Sequence, residues 1–258
     1  MLRPPFPYRA VITSPSNPRV VAAASLHRSR QRSAQGRTLL EGPGLVGDAV
    51  RSGAVIDVVF ATDLEDESVR LASRSGIEIV EVSPRVLDRL AGTKTPRGPI
   101  AVLRVPEPPP PAAVDAVVLA GVADPGNAGT LIRSAAAFGF AVHVGRDSAD
   151  PWSPKVLRSA AGGHFATEVS RREAPVAALG AAGCVIAALL PSGGVLPSAL
   201  DDDRPVGFVV GSEAHGLPDE IVAHADVRVS LPMPGGVESL NAAVAGSIVM
   251  YERFRNRA

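Results

Sequence analysis

The sequence predicts an α/β protein in two parts, a smaller α/β unit followed by a larger α/β sheet unit. Three observations predict this. Short apolar segments rich in β-branched residues alternate with amphipathic helical ones, the pattern of a sheet with helices on its faces. The run Val105-Pro106-Glu107-Pro108-Pro109-Pro110-Pro111 interrupts that alternation. Consecutive prolines lack amide donors and continue neither a helix nor a sheet interior, so they favour a stiff polyproline II spacer. Charge divides at the same place: residues 1–106 carry 15 Lys+Arg against 10 Asp+Glu, and residues 107–258 carry 11 against 16. The expected organisation is a first domain at 1–106, a linker at 107–113 and a second domain at 114–258.

In the first part, Asn17-Pro18 puts proline at a helix start. That helix is expected to run through 20–32, with Arg28 and Arg32 one turn apart on one face. Strands are expected at 38–41, 55–61, 77–82 and 99–105, with helices at 45–52, 65–75 and 84–90. In the second part, strands at 114–120, 141–144, 184–190, 206–210 and 227–231 read as buried and parallel, because they are short, apolar and β-branched. Helices fit at 127–138, 154–161, 174–182, 218–223 and 240–255.

Composition narrows the class. Hydrophobic residues form 46% of the 258-residue chain, enough for real cores. The single cysteine, Cys184, excludes an intrachain disulfide and a multi-cysteine zinc site, and no metal is expected. No apolar run approaches the ~18 residues of a membrane helix, and the N-terminus lacks a signal-peptide core. Cytoplasm is the expected compartment. The first 40 residues hold seven arginines and no acid. That split suggests one part meeting a polyanion; a solvated basic arm with no partner is the other reading.

Gly42-Pro43-Gly44-Leu45-Val46-Gly47 matches the dinucleotide-binding spacing, and Asp63 follows about 20 residues later. Physics argues against it. The preceding strand is short and charged at both ends, and Glu41 would face a pyrophosphate. A glycine-rich turn opening a helix is the better reading.

Three segments of the second part carry chemistry. The first is Asp124-Pro125-Gly126-Asn127, a turn after a strand, followed by a helix bearing Arg133. Asn127 is expected to cap that helix. Leu131, Ile132, Ala135 and Phe138 form its core stripe, and Arg133 falls off the stripe toward a cleft. In the second, the strand Gly207-Phe208-Val209-Val210 runs into Gly211-Ser212-Glu213-Ala214-His215-Gly216. Gly211 permits close backbone approach, and Glu213 either binds a hydroxyl or caps the next helix. The third is Leu231-Pro232-Met233-Pro234-Gly235-Gly236-Val237-Glu238-Ser239-Leu240-Asn241. It is an irregular loop in which Ser239 is expected to cap a helix of small residues. Ligands of open α/β sheets bind at carboxyl strand ends, where all three lie.

Together these segments resemble the SpoU/TrmH family of RNA ribose methyltransferases, of the SPOUT class. Asn127…Arg133, Gly211-Ser212-Glu213 and Leu231-Pro232-Met233…Ser239-Leu240-Asn241 appear in the family's order. Ser153-Pro154-Lys155-Val156-Leu157-Arg158-Ser159-Ala160-Ala161-Gly162 also looks like the family. Asn17-Pro18-Arg19, Glu41-Gly42 and Thr95-Pro96-Arg97-Gly98 resemble the ribosomal-protein-like RNA-binding domain that many members carry. Ala214 departs from the glycine common at its position.

The resemblance implies a C-terminal α/β domain with a deep trefoil knot, a homodimer formed through it, and S-adenosylmethionine as methyl donor. The cofactor would lie against Leu189, Leu190, Gly211, Leu231 and Met233, with Ser239 and Leu240 closing the pocket. Arg133, Asn127, Glu213, Ser239 and Asn241 would carry catalysis. Arg133 would position the ribose 2′-hydroxyl and an RNA phosphate; Asn127 and Glu213 would orient the ribose; Ser239 and Asn241 would order the loop. Arg19, Arg28, Arg30, Arg32, Arg37 and Arg97 would contact RNA phosphates. A detached RNA-binding domain favours large-subunit rRNA as substrate. A tRNA substrate is the alternative, as is a non-catalytic RNA-binding or ribosome-assembly protein.

Overall fold

The computed structural model describes residues 11–93, 95, 96, 98–200 and 203–257; Arg97 lies outside them. The chain divides into two units. One holds the residues up to Pro106 together with Trp152–Pro154; the other holds Glu107–Pro151 and the residues from Lys155 on.

The first unit orders its elements as α1 (Pro18–Ser25), α2 (Ser29–Gln35), β1 (Arg37–Glu41), α3 (Pro43–Arg51), β2 (Ile56–Ala61), α4 (Glu67–Arg74), β3 (Ile79–Glu81), α5 (Pro84–Leu90) and β4 (Ile100–Arg104). Its sheet runs β1-β4-β2-β3. β4 is antiparallel to both neighbours and β2 is parallel to β3. Val20, Leu26, Leu39, Phe60, Leu90 and Ile100 share one core. The glycine-rich turn opens α3 after an edge strand whose partner is antiparallel, which is not the parallel strand–helix–strand unit a dinucleotide needs. Glu41 is engaged by the Gly92 amide (3.0 Å) and the Thr93 hydroxyl, closing that reading.

The expected single helix through 20–32 is two helices. The chain tightens after Ser25, where the amides of Leu26, His27 and Arg28 bond three residues back. Arg32 then folds back from α2 and donates Nη1 to the carbonyls of Leu26 (3.0 Å) and His27 (2.9 Å). A guanidinium thus satisfies the orphan carbonyls at the end of α1. Arg32 is only 6% exposed, so its expected place among the phosphate contacts is corrected to a structural one. Arg28 does not share a helical face with it but stands as the extended N-cap of α2.

The second unit orders its elements as β5 (Ala116–Ala120), α6 (Pro125–Phe138), β6 (Ala141–Val144), α7 (Pro154–Ala160), β7 (Val169–Arg171), α8 (Pro175–Ala181), β8 (Val185–Leu190), β9 (Val206–Gly211), α9 (Asp219–His224), β10 (Val227–Ser230) and α10 (Ala242–Arg257). Six strands form one sheet in the order β10-β8-β9-β5-β6-β7, and every pairing is parallel. A parallel sheet is buried on both faces, which explains the near-continuous apolar strands. Ala116, Val118, Ile186 and Val209 face the core that includes Leu179 of α8; α6 and α10 cover the other side. Sequence reasoning missed β7, three residues with a polar centre at Ser170 and a charged end at Arg171.

The strand order creates a crevice. From β5 the chain proceeds outward through β6 and β7, then returns to build β8, β9 and β10 on the opposite side. The order therefore reverses between β5 and β9, and ligands of open α/β sheets bind at such points.

Two histidines of this unit are buried. Burial, reinforced by the Arg172 charge, lowers His143 to about 4. Burial also lowers His164 to about 4, opposed in part by the Pro151 carbonyl and Asp150. Both folded values lie below the ordinary 6.5, so the unfolded chain takes up protons first as pH falls. Their contribution to stability is full above pH 6.5 and is lost as pH falls to about 4, roughly 3 kcal/mol each. Denaturant midpoints should therefore drop steeply between pH 6.5 and 4, and His143→Gln should flatten that slope. An unchanged slope would show that His143 is not held neutral.

Candidate active site

The three motif loops meet at the crevice. Asp124 caps α6 by accepting from the Asn127 amide (2.8 Å). Asn127 is therefore not the cap, and its side chain is free to reach across. Asn127 donates Nδ2 to Glu213 Oε1 at 2.6 Å, joining the loops after β5 and β9. Its Oδ1 accepts from Asn241 Nδ2 at 3.0 Å, joining the loop before α10. One amide side chain thus ties segments 86 and 114 residues away.

Asn241 is also the cap of α10. Its Oδ1 accepts from the amides of Ala243 (2.9 Å) and Val244 (3.1 Å). This corrects Ser239 as the cap: the helix begins at Ala242, so the residue directly before it has the required position. Ser239 is exposed and lines the cavity described below. Glu213 does not cap a helix either; α9 starts at Asp219 after Pro218, with no side-chain cap.

The turn that carries Glu213 is closed by its own hydrogen bonds. Ser212 and Gly216 exchange backbone hydrogen bonds of 3.0 and 2.9 Å, and Ser212 Oγ accepts from the His215 amide at 3.1 Å. Gly211 makes this possible, because a Cβ there would lie 2.5 Å from the Gly216 oxygen and 2.6 Å from the Leu217 nitrogen. Ala214, where the family commonly has glycine, does not stop this turn from closing.

A cavity of about 720 Å³ opens at the carboxyl ends of β8, β9 and β10. Leu189, Leu190, Gly211, Leu231, Met233, Ser239 and Leu240 all line it. Glu213 and Asn241 line it as well, as do His215 of the same turn and Pro191, which sequence reasoning did not single out. Aliphatic walls edged by the last backbone groups of three strands suit an adenine base, which needs apolar stacking and main-chain partners. The volume accommodates a nucleoside with an amino-acid tail.

Arg133 is not drawn into the Asn127 cluster. It lies six residues further along α6, about 9 Å along the axis, and is exposed. Among the described residues its guanidinium has no partner. Of the expected phosphate contacts, Arg28 and Arg30 are exposed. Arg19 pairs with Glu78 through both terminal nitrogens (2.6 and 3.2 Å). Arg37 and Arg104 both grip Asp57, at 2.5 and 2.6 Å. Burial pushes the Asp57 carboxyl up, but the two guanidiniums outweigh it and hold it below its ordinary value. Arg19 and Arg37 therefore have structural partners inside the first unit.

Fold and site together define an α/β enzyme that works at the strand ends of a parallel sheet. Residues 116–251 match the model of the SpoU rRNA Methylase family, and residues 17–101 match that of the MRM3-like substrate binding domain. The chain belongs to the SpoU rRNA methylase family. It is 34% identical to an uncharacterised tRNA/rRNA methyltransferase of Synechocystis, over 96% of this chain and 94% of the relative. It is 32% identical to the 23S rRNA (guanosine(2553)-2′-O)-methyltransferase RlmP of Bacillus subtilis, over 93% of this chain and 97% of that enzyme. The structure of an AdoMet-bound rRNA methyltransferase from Sinorhizobium meliloti superposes with a TM-score of 0.85 at 27% identity, over 95% of this chain and 97% of that one.

Gly211→Ala should abolish cofactor binding measured by calorimetry, because the added methyl cannot coexist with the Gly216–Leu217 backbone. Retained binding at wild-type affinity would show that the turn is not a wall of the site.

Proposed function

We propose that this chain methylates a ribose 2′-hydroxyl of structured large-subunit rRNA, with S-adenosylmethionine as donor. The observation that carries the reading is the Asn127 bridge between Glu213 and Asn241 at the edge of the adenosine-sized cavity. The donor supplies an electrophilic methyl group on a sulfonium; the protein's task is to hold the hydroxyl in line with it. Asn127 is locked by two hydrogen bonds and keeps one N–H for a ribose oxygen. Glu213 keeps Oε2 to accept from a hydroxyl. Arg133 holds the 2′-hydroxyl and the adjoining phosphate. A guanidinium does not give up its proton in a protein, so Arg133 positions rather than deprotonates, and the nearby phosphate assists proton removal. Arg133→Ala should slow methyl transfer by about 100-fold or more while S-adenosylmethionine binding is retained. Transfer at near wild-type rate would sink this role.

The rRNA preference follows from the substrate-binding match over residues 17–101 and from a 23S rRNA enzyme that aligns along nearly its whole length. A tRNA substrate is the competing reading. Of the arginines expected at phosphates and among the described residues, Arg28 and Arg30 are exposed and without a carboxylate partner. Replacing both with Ala should lower the salt slope of RNA binding by roughly 1 to 2, since each phosphate contact contributes about 0.7–0.9. An unchanged slope would put the arm off the RNA.

The segment after β10 is proposed to thread a deep trefoil knot. Supporting it, the connection from β8 to β9 lies along β10, with Val195 bonded to Arg228 and Ser230. The same connection clasps α10 through the Leu200 and Arg204 carbonyls on buried Arg253 (3.4 and 2.7 Å). A homodimer through this unit is also proposed. Val244, Ile248 and Tyr251 recur at i, i+4 and i+7 on α10 and are each more than a third exposed, an apolar stripe that a second copy would cover. Cytoplasm is the expected compartment; among the described residues no helix is long and apolar enough to cross a membrane.

A further inference from the structure

The segment at 153–162 looks like the family, yet the site described above gives it no task. Its placement does. The last residues of α7 and the turn after it pack against α6 on the flank of Arg133. A Cβ at Gly129 of α6 would lie 2.9 Å from the Ala160 nitrogen. One helical turn on, a Cβ at Gly163 would lie 3.2 Å from Arg133 Cα, 3.2 Å from the Ile132 oxygen and 3.3 Å from the Arg133 nitrogen. Gly129 has no room for a side chain, and at Gly163 a methyl would force the facing backbone to shift by a few tenths of an ångström.

The backbone between them is unusual. Ala161 has φ 46°, and among the described residues it is the one non-glycine with positive φ. Gly162 follows at φ 88°. A side chain in the left-handed region is strained, and such strain persists only where the surroundings impose it. The turn is anchored beyond by buried His164, whose Nε2 bonds to the Pro151 carbonyl at 2.8 Å. On another flank α6 is held by α10, through Ser134 Oγ to Ser247 Oγ at 2.7 Å and through Leu131 against Gly246.

We propose that the turn 160–163 is a positioning element for Arg133: it fixes the main chain beneath the guanidinium and closes one side of its rotamer space. The arginine has no side-chain partner of its own among the described residues, so backbone placement and steric closure are what restrict it. This rests on the reading that Arg133 holds the ribose hydroxyl. Geometry at a reacting centre is sensitive, since misplacement by ~1 Å costs about 100-fold. A methyl at Gly163 meets backbone atoms, which yield only by a few tenths of an ångström.

The test is single-turnover methylation of large-subunit rRNA from cells lacking this protein. Gly163→Ala should lower the rate about tenfold with the RNA KM and S-adenosylmethionine Kd within twofold of wild type. In an Arg133→Ala background it should cause no further loss. Ser159, whose Cβ packs on Gly129, gives a gentler pair: Ser159→Gly should slow transfer about threefold, and Ser159→Ala, which keeps the Cβ, should restore it. An inactive Arg133→Ala beside a fully active Gly163→Ala overturns this inference alone. An active Arg133→Ala overturns the role of Arg133 and this inference with it. Additive losses in the double variant, or a KM effect alone, also overturn it. Should Gly163→Ala lose cofactor binding through misfolding, the Ser159 pair decides, and equal rates there overturn the proposal.

Discussion

The catalytic unit depends on one amide side chain. Asn127 donates to Glu213 and accepts from Asn241, and Asn241 in turn caps α10. Three loops that begin on different strands are thereby held to one geometry. Each bond alone contributes on the order of 1 kcal/mol. Their value lies in sharing: moving any one loop breaks a bond in another, so the cluster shifts together or not at all. An amide suits the task because it donates and accepts at once. An aspartate at 127 would accept from Asn241 but repel Glu213, and the loop after β9 would part from that after β5.

Glycines let the scaffold bring that cluster together. Gly211 allows the Glu213 turn to fold back on its own strand, Gly129 and Gly163 let α6 sit against the turn after α7, and Gly246 lets α10 close on Leu131. None of these contacts is strong. At Gly211, Gly129 and Gly163 the approach is to backbone, which is stiff because main-chain atoms have no rotamers to yield, while at Gly246 the Leu131 side chain fills the space. A site that must hold a hydroxyl in line within fractions of an ångström gains more from such stiffness than from additional hydrogen bonds.

Much of this was legible in the sequence, for physical reasons that differ by element. The parallel strands showed themselves because burial on both faces demands continuous β-branched apolar runs, as in Ala116–Ala120 and Val206–Gly211. Asn127 and Glu213 showed themselves as polar residues in turns that follow strands, and Asn241 through the resemblance of its segment to the family's third motif. The bonds among them did not, because which loop reaches which depends on the β10-β8-β9-β5 order, and no local pattern encodes it. The caps were misplaced by a few residues at both helices: Asp124 and Asn127, like Ser239 and Asn241, are all good capping types. The choice between them is made by where tertiary packing starts the helix. β7 was missed because an edge strand of three residues carries almost no periodic signal.

Counting charges pointed to the half that matches a substrate-binding domain, but it does not say which cations are unpaired. Fifteen basic residues before the proline run suggest a broad electrostatic surface. Yet Arg19, Arg37, Arg51, Arg70 and Arg104 are paired with carboxylates of the same unit, and Arg32 is buried on backbone carbonyls. A cation already facing a carboxylate attracts a phosphate only by giving up or sharing that partner, so its net contribution to polyanion binding is small. The field outside this unit comes from its unpaired cations, among them Arg28 and Arg30 near α2 and Arg74, Arg85 and Arg89 elsewhere. Contacts from such cations to phosphates fix register and carry little sequence choice. Under the roles proposed for Asn127, Glu213 and Arg133, selection of the nucleotide falls to the crevice at the strand ends.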